Sequence, residues 1–430
     1  MSNTGVLKRE VGVFGATMMG LGSMVGTGVF VSIGVAAGIV GPAVLLAIVL
    51  AALVATCNAL SSAQLAASLP VSGGTYEYGH AYLTPWLGFT AGWMFLCAKT
   101  ASAATAAVGF SGYLLQLLGL QSFVVPVAVA ASLTLTAIVA MGIRRSNLTN
   151  IVIVSVTLFA LAVFVLAAIP GIRADGTQNF VPFFQAKEDG VWTELLGATA
   201  LMFVAFTGYA RIATLGEEMR EPARNIPRAI IATLVVSAVL YIAVGAAGIG
   251  TVGADTLAQA ARTEIAPLVV AAKTFDAPAV YWIVGIGAVT AMLGVALNLI
   301  LGLSRVLLAM GRRGDMPGLF AHVGEGGSPV PAIIAVGVAV AALALIGSVE
   351  TTWSFSAFTV LIYYALTNLA ALRLPKEKRL YPIALAWAGL VACLSLAFFV
   401  EREIWMVGLG LIAVGLVWHA AARYLARAGA

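Results

Sequence analysis

Charge is what this 430-residue chain has little of: only 10% of its residues are Asp, Glu, Lys or Arg, against 61% apolar. Soluble domains run about 25% charged and about 45–50% apolar, so the composition excludes an ordinary water-soluble globule. It also excludes a disordered chain, which needs the reverse balance. Cysteine is scarce too. Cys57, Cys97 and Cys393 all lie in apolar runs, lack metal-type spacing, and as an odd number cannot complete a disulfide framework. Three histidines, at 80, 322 and 419, leave almost no material for zinc binding or histidine catalysis. No paired carboxylates fall inside an apolar run, so an intramembrane enzyme lacks its constellation. The formal charge is +5, but the cations are too few and too scattered to suggest nucleic acid as a partner. Residues 1–10 are polar and lack the pattern of a cleavable signal.

Long apolar runs are what the chain does have. A bilayer-spanning helix needs about 20 apolar residues, and twelve candidates appear, near 12–39, 43–66, 86–118, 122–142, 147–169, 193–215, 229–250, 279–310, 331–348, 353–372, 381–400 and 404–422. The runs are continuous rather than alternating, which excludes barrel strands. With the N-terminus inside, alternation places sixteen cations on inner segments and five on outer ones; Lys99 and Arg211 fall within spans. That is a strong positive-inside bias, and it predicts an all-α membrane protein with twelve transmembrane helices and both termini cytoplasmic. No linker can hold a soluble domain, so residues 1–430 read as one transmembrane domain with the lipid bilayer as its surroundings. A channel would want a pore-lining ring or filter loop, and a sensor would want a soluble output domain; neither is present in the sequence.

Two spans carry interruptions. Three glycines, Gly22, Gly26 and Gly28, fall within seven residues in the middle of the first. Small residues also serve helix packing, but this density suits an unwound stretch. In the sixth span Thr207-Gly208 lies between aromatic residues, with Arg211 following. Corresponding interruptions in two halves of a chain point to a transporter binding site, where freed N–H groups hold a carboxylate and freed carbonyls hold an ammonium or a metal cation.

The residues at these breaks carry a resemblance. GTGVF (26–30), LPVSGGTYEYGHAYLTPWLGFTAGW (69–93), FVAFTGYARIATLGEEMREPARNIPRAI (203–230), and Ser304-Arg305 with GRRGDMP (311–317) are similar, in order, to segments of the amino acid–polyamine–organocation (APC) transporter superfamily. By eye the chain is most similar to prokaryotic permeases like the cationic amino acid transporters. The resemblance implies a LeuT-type fold with a 5+5 inverted repeat: repeat one at about 11–170, repeat two at about 192–373, and two C-terminal helices at about 380–423. It implies a secondary transporter of amino acids, a symporter or exchanger working by alternating access in a cell membrane, here the prokaryotic inner membrane. Thr27 and Gly28 are then expected at the substrate carboxylate. The carbonyls of Met24, Val204 and Thr207 are expected at the amine, with Gly26, Ala205 and Gly208 in the same unwound segments and Phe206 as an aromatic lid.

The departures are informative. Several proton-coupled members of the family have a lysine in the fifth helix; the corresponding position here is Thr157, which is either packing or room for a sodium ion. Lys99, about fourteen residues into the third span, sits near mid-bilayer, where an ionisable residue is costly and functional by default. It is a coupling candidate, as are Thr290 and Asn298. The coupling ion implied is Na⁺ or H⁺; no other cofactor is expected, and no metal ligand set can be assigned. Arg211, Glu217 and Glu218 are gate candidates. Members for cationic substrates often carry an acid where this chain has Ala210, so neutral amino acids are expected. A polyamine or cationic amino acid exchanger is the alternative.

Overall fold

The computed structural model describes residues 11–70, 73–141, 147–174, 176–185, 190–213, 219–263, 265–324 and 328–428. The described residues form seventeen α-helices: α1 Val13–Met24, α2 Ile33–Val40, α3 Val44–Ser68, α4 Thr75–Tyr82, α5 Pro85–Leu118, α6 Val124–Ala140, α7 Asn147–Ala174, α8 Val191–Ala205, α9 Ala210–Ala213, α10 Pro222–Val252, α11 Ala254–Thr263, α12 Pro267–Ala272, α13 Pro278–Arg312, α14 Val330–Ala344, α15 Val349–Leu372, α16 Ile383–Ala397 and α17 Arg402–Ala428. No strand forms among them. Eight helical stretches are long and apolar enough to cross a membrane. Four more apolar helices, α1, α6, α14 and α16, are shorter.

The expected first span is divided. Helix α1 stops at Met24, and after a gap a π-turn over Gly28–Ser32 leads into α2. The expected sixth span is divided as well, into α8, a 3₁₀ turn at Thr207–Tyr209 and the one-turn α9. The 251–278 linker is not an open loop but holds α11 and α12. Helix α11 is amphipathic: Leu257, Ala258, Ala260 and Ala261 are buried while Asp255, Gln259 and Arg262 are exposed. Its apolar face packs on α2, and a Cβ at Gly34 would sit 2.8 Å from the Leu257 carbonyl oxygen.

Helix α5 is the axis of the molecule. It packs most extensively on α13 and α15 and is buried almost throughout its second half. Large apolar side chains such as Phe159, Leu166, Val239 and Val417 face outward. Such a surface needs lipid rather than water around it. Where water is absent, polar groups must pair internally. The Tyr113 hydroxyl donates to the Phe30 carbonyl at 2.6 Å, and the Asn368 amide donates to the Asn58 side-chain oxygen.

Candidate functional site

The two interruptions face each other. At the end of α1 the Val25 N–H still donates to the Leu21 carbonyl at 2.7 Å, but Val25 itself is extended. The chain restarts with the Gly26 carbonyl accepting the N–H groups of Val29 and Phe30, both at 3.1 Å. The N–H groups heading the second half therefore lie at a helix start, which favours negative charge. Close approach explains the glycines: a Cβ at Gly28 would stand 2.5 Å from the Ala205 methyl, and one at Gly208 would stand 2.5 Å from the backbone C and O of Ser23.

Three tyrosine and threonine hydroxyls tie the breaks down. The Tyr241 hydroxyl, from α10, reaches the Met24 carbonyl at 2.8 Å and the Ala205 carbonyl at 3.1 Å. Thr207 donates to the Val204 carbonyl at 2.7 Å. Tyr364, from α15, donates to the Thr207 carbonyl at 3.2 Å. The carbonyls expected at a substrate amine thus already accept internal hydrogen bonds, that of Val204 from the Phe206 N–H as well as from Thr207. A carbonyl has two lone pairs, so the Met24 carbonyl, bonded to Tyr241, has one to offer.

Two cavities meet here. A deep one of about 30 Å³ is lined by Met24, Thr27 and Gly28 of the first interruption, by Val204, Ala205 and Thr207 of the second, and by Lys99, Ser102 and Trp353. A vestibule of about 460 Å³ continues from it, past Gly208, Arg211 and Asn298, to Arg305 and Arg312 near the end of α13. Ser23, Lys99, Thr207, Val295 and Leu299 line both. The deep cavity has room for little more than two waters, so in this conformation the inner site is nearly closed, whereas the vestibule falls in the size range of ligand pockets. Among the described residues neither lining includes Asp or Glu.

Lys99 stands where the cavities join. Its side chain is buried, and its Nζ donates to the Thr207 hydroxyl at 2.7 Å. No ion pair among the described residues includes it. The Thr27 hydroxyl is buried and has no hydrogen-bond partner among the described residues.

Other expected residues fall elsewhere. Gly26 is buried but lines neither cavity; a Cβ there would meet Val295 at 2.7 Å. Phe206 also lines neither: it is fully buried, its ring 5.0 Å from that of Tyr241. The aromatic ring that does line the deep cavity is Trp353, fixed by its indole N–H donating to the Leu201 carbonyl at 2.9 Å. Thr157 and Thr290 bond back to carbonyls of their own helices, Thr157 to Ile153 and Thr290 to Ile286 and Gly287, and line neither cavity. Asn298 and Arg211 line the vestibule. Glu217 and Glu218 lie outside the described residues. Trp353, Tyr241 and Tyr364 carry no sequence signal, because helices surrounded by protein and lipid have no polar stripe from which to orient them.

The 69–93 segment and the loop after α13 meet beside the vestibule mouth. Arg313 pairs with Glu77 of α4. Asp315, itself buried, accepts from the Tyr76 hydroxyl at 2.7 Å; His80 Nε2 lies 3.5 Å and His419 Nδ1 3.2 Å from its two oxygens. The Trp418 indole donates to the Asp315 carbonyl at 3.0 Å. So α4, the loop after α13 and the C-terminal α17 are joined at one carboxylate. Burial pushes that carboxyl up, but the hydrogen bonds from His80 and Tyr76 outweigh it and hold it below the ordinary value. A carboxyl depressed in the fold contributes stability above its unfolded value of about 3.9 and loses it as pH falls through the lower, folded value. Asp315→Asn is therefore expected to lose about 1–3 kcal/mol at neutral pH. Melting of detergent-solubilised protein should show this gap narrowing below about pH 4.

A profile of the family described as "Amino acid permease" matches residues 15–428. An uncharacterized transporter of Mycobacterium tuberculosis is 40% identical over 426 residues, covering 98% of this chain and 93% of that protein. The branched-chain amino acid permease BcaP of Bacillus subtilis is 30% identical over 336 residues, 74% of this chain and 70% of its own. Cationic amino acid transporter 2, vacuolar, of Arabidopsis thaliana is 25% identical over 403 residues, 88% and 62% of the two chains. Among solved structures, MhsT in complex with L-phenylalanine superposes with a TM-score of 0.67 at 15% identity, covering 92% of this chain and 100% of that one. That likeness shows the fold, which is of the LeuT type.

Proposed function

The chain belongs to the amino acid permease family, and from that premise we propose that it is a secondary active transporter of neutral amino acids, a symporter or exchanger working by alternating access. Its homologues are transporters and permeases, not enzymes, and the chain is a multi-pass membrane protein. The observation that carries the reading is the pair of opposed helix breaks with a small closed cavity between them and one wide vestibule leading away. A substrate bound at the breaks has N–H groups for its carboxylate and the Met24 carbonyl for its amine.

In this reading there are twelve crossings. The two interrupted spans open the two five-helix repeats, and α16 and α17 are additions. The positive-inside bias puts both termini and the vestibule mouth, with Arg305 and Arg312, on the cytoplasmic side, so the conformation is one open inward. The lining favours neutral over cationic substrates: its described residues offer Lys99 and arginines but no carboxylate to balance a cationic side chain. A sodium ion or a proton is the coupling ion in the symport form, and Asn298, which lines the vestibule, is a ligand candidate for it.

Reconstitution in liposomes tests this. Uptake of labelled alanine, leucine or phenylalanine, driven by a sodium or proton gradient or by exchange, is expected, with arginine and putrescine taken up at least about tenfold more slowly. Uptake of arginine or putrescine above that of every neutral amino acid would overturn the substrate class.

A further inference from the structure

Lys99 is a buried ammonium for which no described residue supplies a counter-charge. Among the described residues its hydrogen-bond partner is one neutral oxygen, the Thr207 hydroxyl at 2.7 Å, although an ammonium has three donors. Thr207 does not need that bond, since its own proton goes to the Val204 carbonyl at 2.7 Å. With 6% of its surface exposed, Lys99 cannot reach a lipid headgroup, and solvent meets it only by way of the vestibule. A methionine would fill the same space without the cost of burying a charge. Packing therefore gives no reason for an ammonium at this place, and its position suggests one. Lys99 lines both cavities, and it shares the deep one with Thr27 and Gly28 at the start of the second half of the broken first helix. The Thr27 hydroxyl there is buried and unpartnered among the described residues. Three kinds of group suited to an anion thus line one small space: helix-start N–H groups, a hydroxyl and an ammonium.

The missing charge comes from the substrate of the proposed transport reading, and the role of Lys99 rests on that reading. Every amino acid carries a carboxylate, whatever its side chain. We propose that Lys99 is the counter-ion of the substrate carboxylate, gripping it opposite the Thr27–Gly28 backbone and so excluding amines that lack a free carboxylate. The anion draws the ammonium away from Thr207. The helix-six break then loses one of its ties to neighbouring helices and keeps those from Tyr364 to the Thr207 carbonyl and from Tyr241 to the Ala205 carbonyl. Occupancy of the site is in this way felt by the second broken helix.

Binding to the full-length protein in nanodiscs tests this, using L-leucine, L-phenylalanine and L-alanine, the carboxamide of each and the amine left by its decarboxylation. Wild type is expected to bind its best acid at least a hundredfold more tightly than the matching amide. In Lys99→Met affinity for the acid falls about tenfold to a hundredfold while that for the amide stays, so discrimination collapses; Lys99→Arg keeps part of it. A Lys99→Met protein that melts as wild type does and discriminates equally well would overturn the proposal. So would protection of wild type by chloride alone, lost in Lys99→Met, with acid-over-amide preference unchanged. Wild type that binds acids and amides alike overturns this inference and leaves the transport reading standing; wild type that binds none of the acids overturns both.

Discussion

Gly208→Val is expected to reduce uptake to below about a tenth of wild type while the protein still inserts and purifies. The reason is geometric. A Cβ at Gly208 would lie 2.5 Å from the backbone carbon and oxygen of Ser23, and a backbone cannot rotate aside as a flexible side chain can. Helices one and six must then part at the point where they line the deep cavity together. Overpacking of this kind costs about 1–3 kcal/mol, and about 1.4 kcal/mol is a factor of ten in an equilibrium. Gly302 gives the control. It lines the same vestibule, but a Cβ there meets nothing within 4 Å, so Gly302→Ala should transport within about twofold of wild type. Equal loss in both variants would place the effect of Gly208 in general instability rather than in the approach of the breaks.

Tyr241→Phe is expected to have the next largest effect. One hydroxyl spans the Met24 and Ala205 carbonyls, which end the first halves of the two broken helices. Tyr241 is itself fully buried, and an unsatisfied buried carbonyl costs about 1–3 kcal/mol. The ring stays, so its packing against Phe206 is retained. Melting of the purified variant should drop, and uptake should fall about tenfold. Wild-type uptake in Tyr241→Phe would mean that the breaks hold their shape without this tie.

The sequence made the scaffold legible because lipid imposes simple rules. Continuous apolar runs of about twenty residues located α3, α5, α10, α13 and α15; glycine density located the interruption after Met24, and correspondence between the two halves the one at Thr207. What could not be read was orientation around each axis. Helix α15 is apolar on nearly every side, so nothing in its sequence says that Trp353 faces the deep cavity while Phe206 of the sixth span does not. Thr157 and Thr290 illustrate the same limit: a threonine in a span bonds to its own helix as readily as it faces a site, and both do the former. Lys99 is the opposite case. A charge in mid-span has few places to go; the sequence marks it as a coupling candidate, and it lines both cavities.

Counterflow tests the central claim most directly. The claim is that substrate held between the two helix breaks is exposed alternately to the two sides of a membrane. Vesicles containing the protein are loaded with an unlabelled neutral amino acid and diluted into a trace of the same amino acid carrying label. Alternating access predicts that label rises above its outside concentration and then declines as the unlabelled pool drains, and that the overshoot is absent in Gly208→Val. Label that only equilibrates, at a rate rising linearly with concentration and without overshoot, would contradict the account.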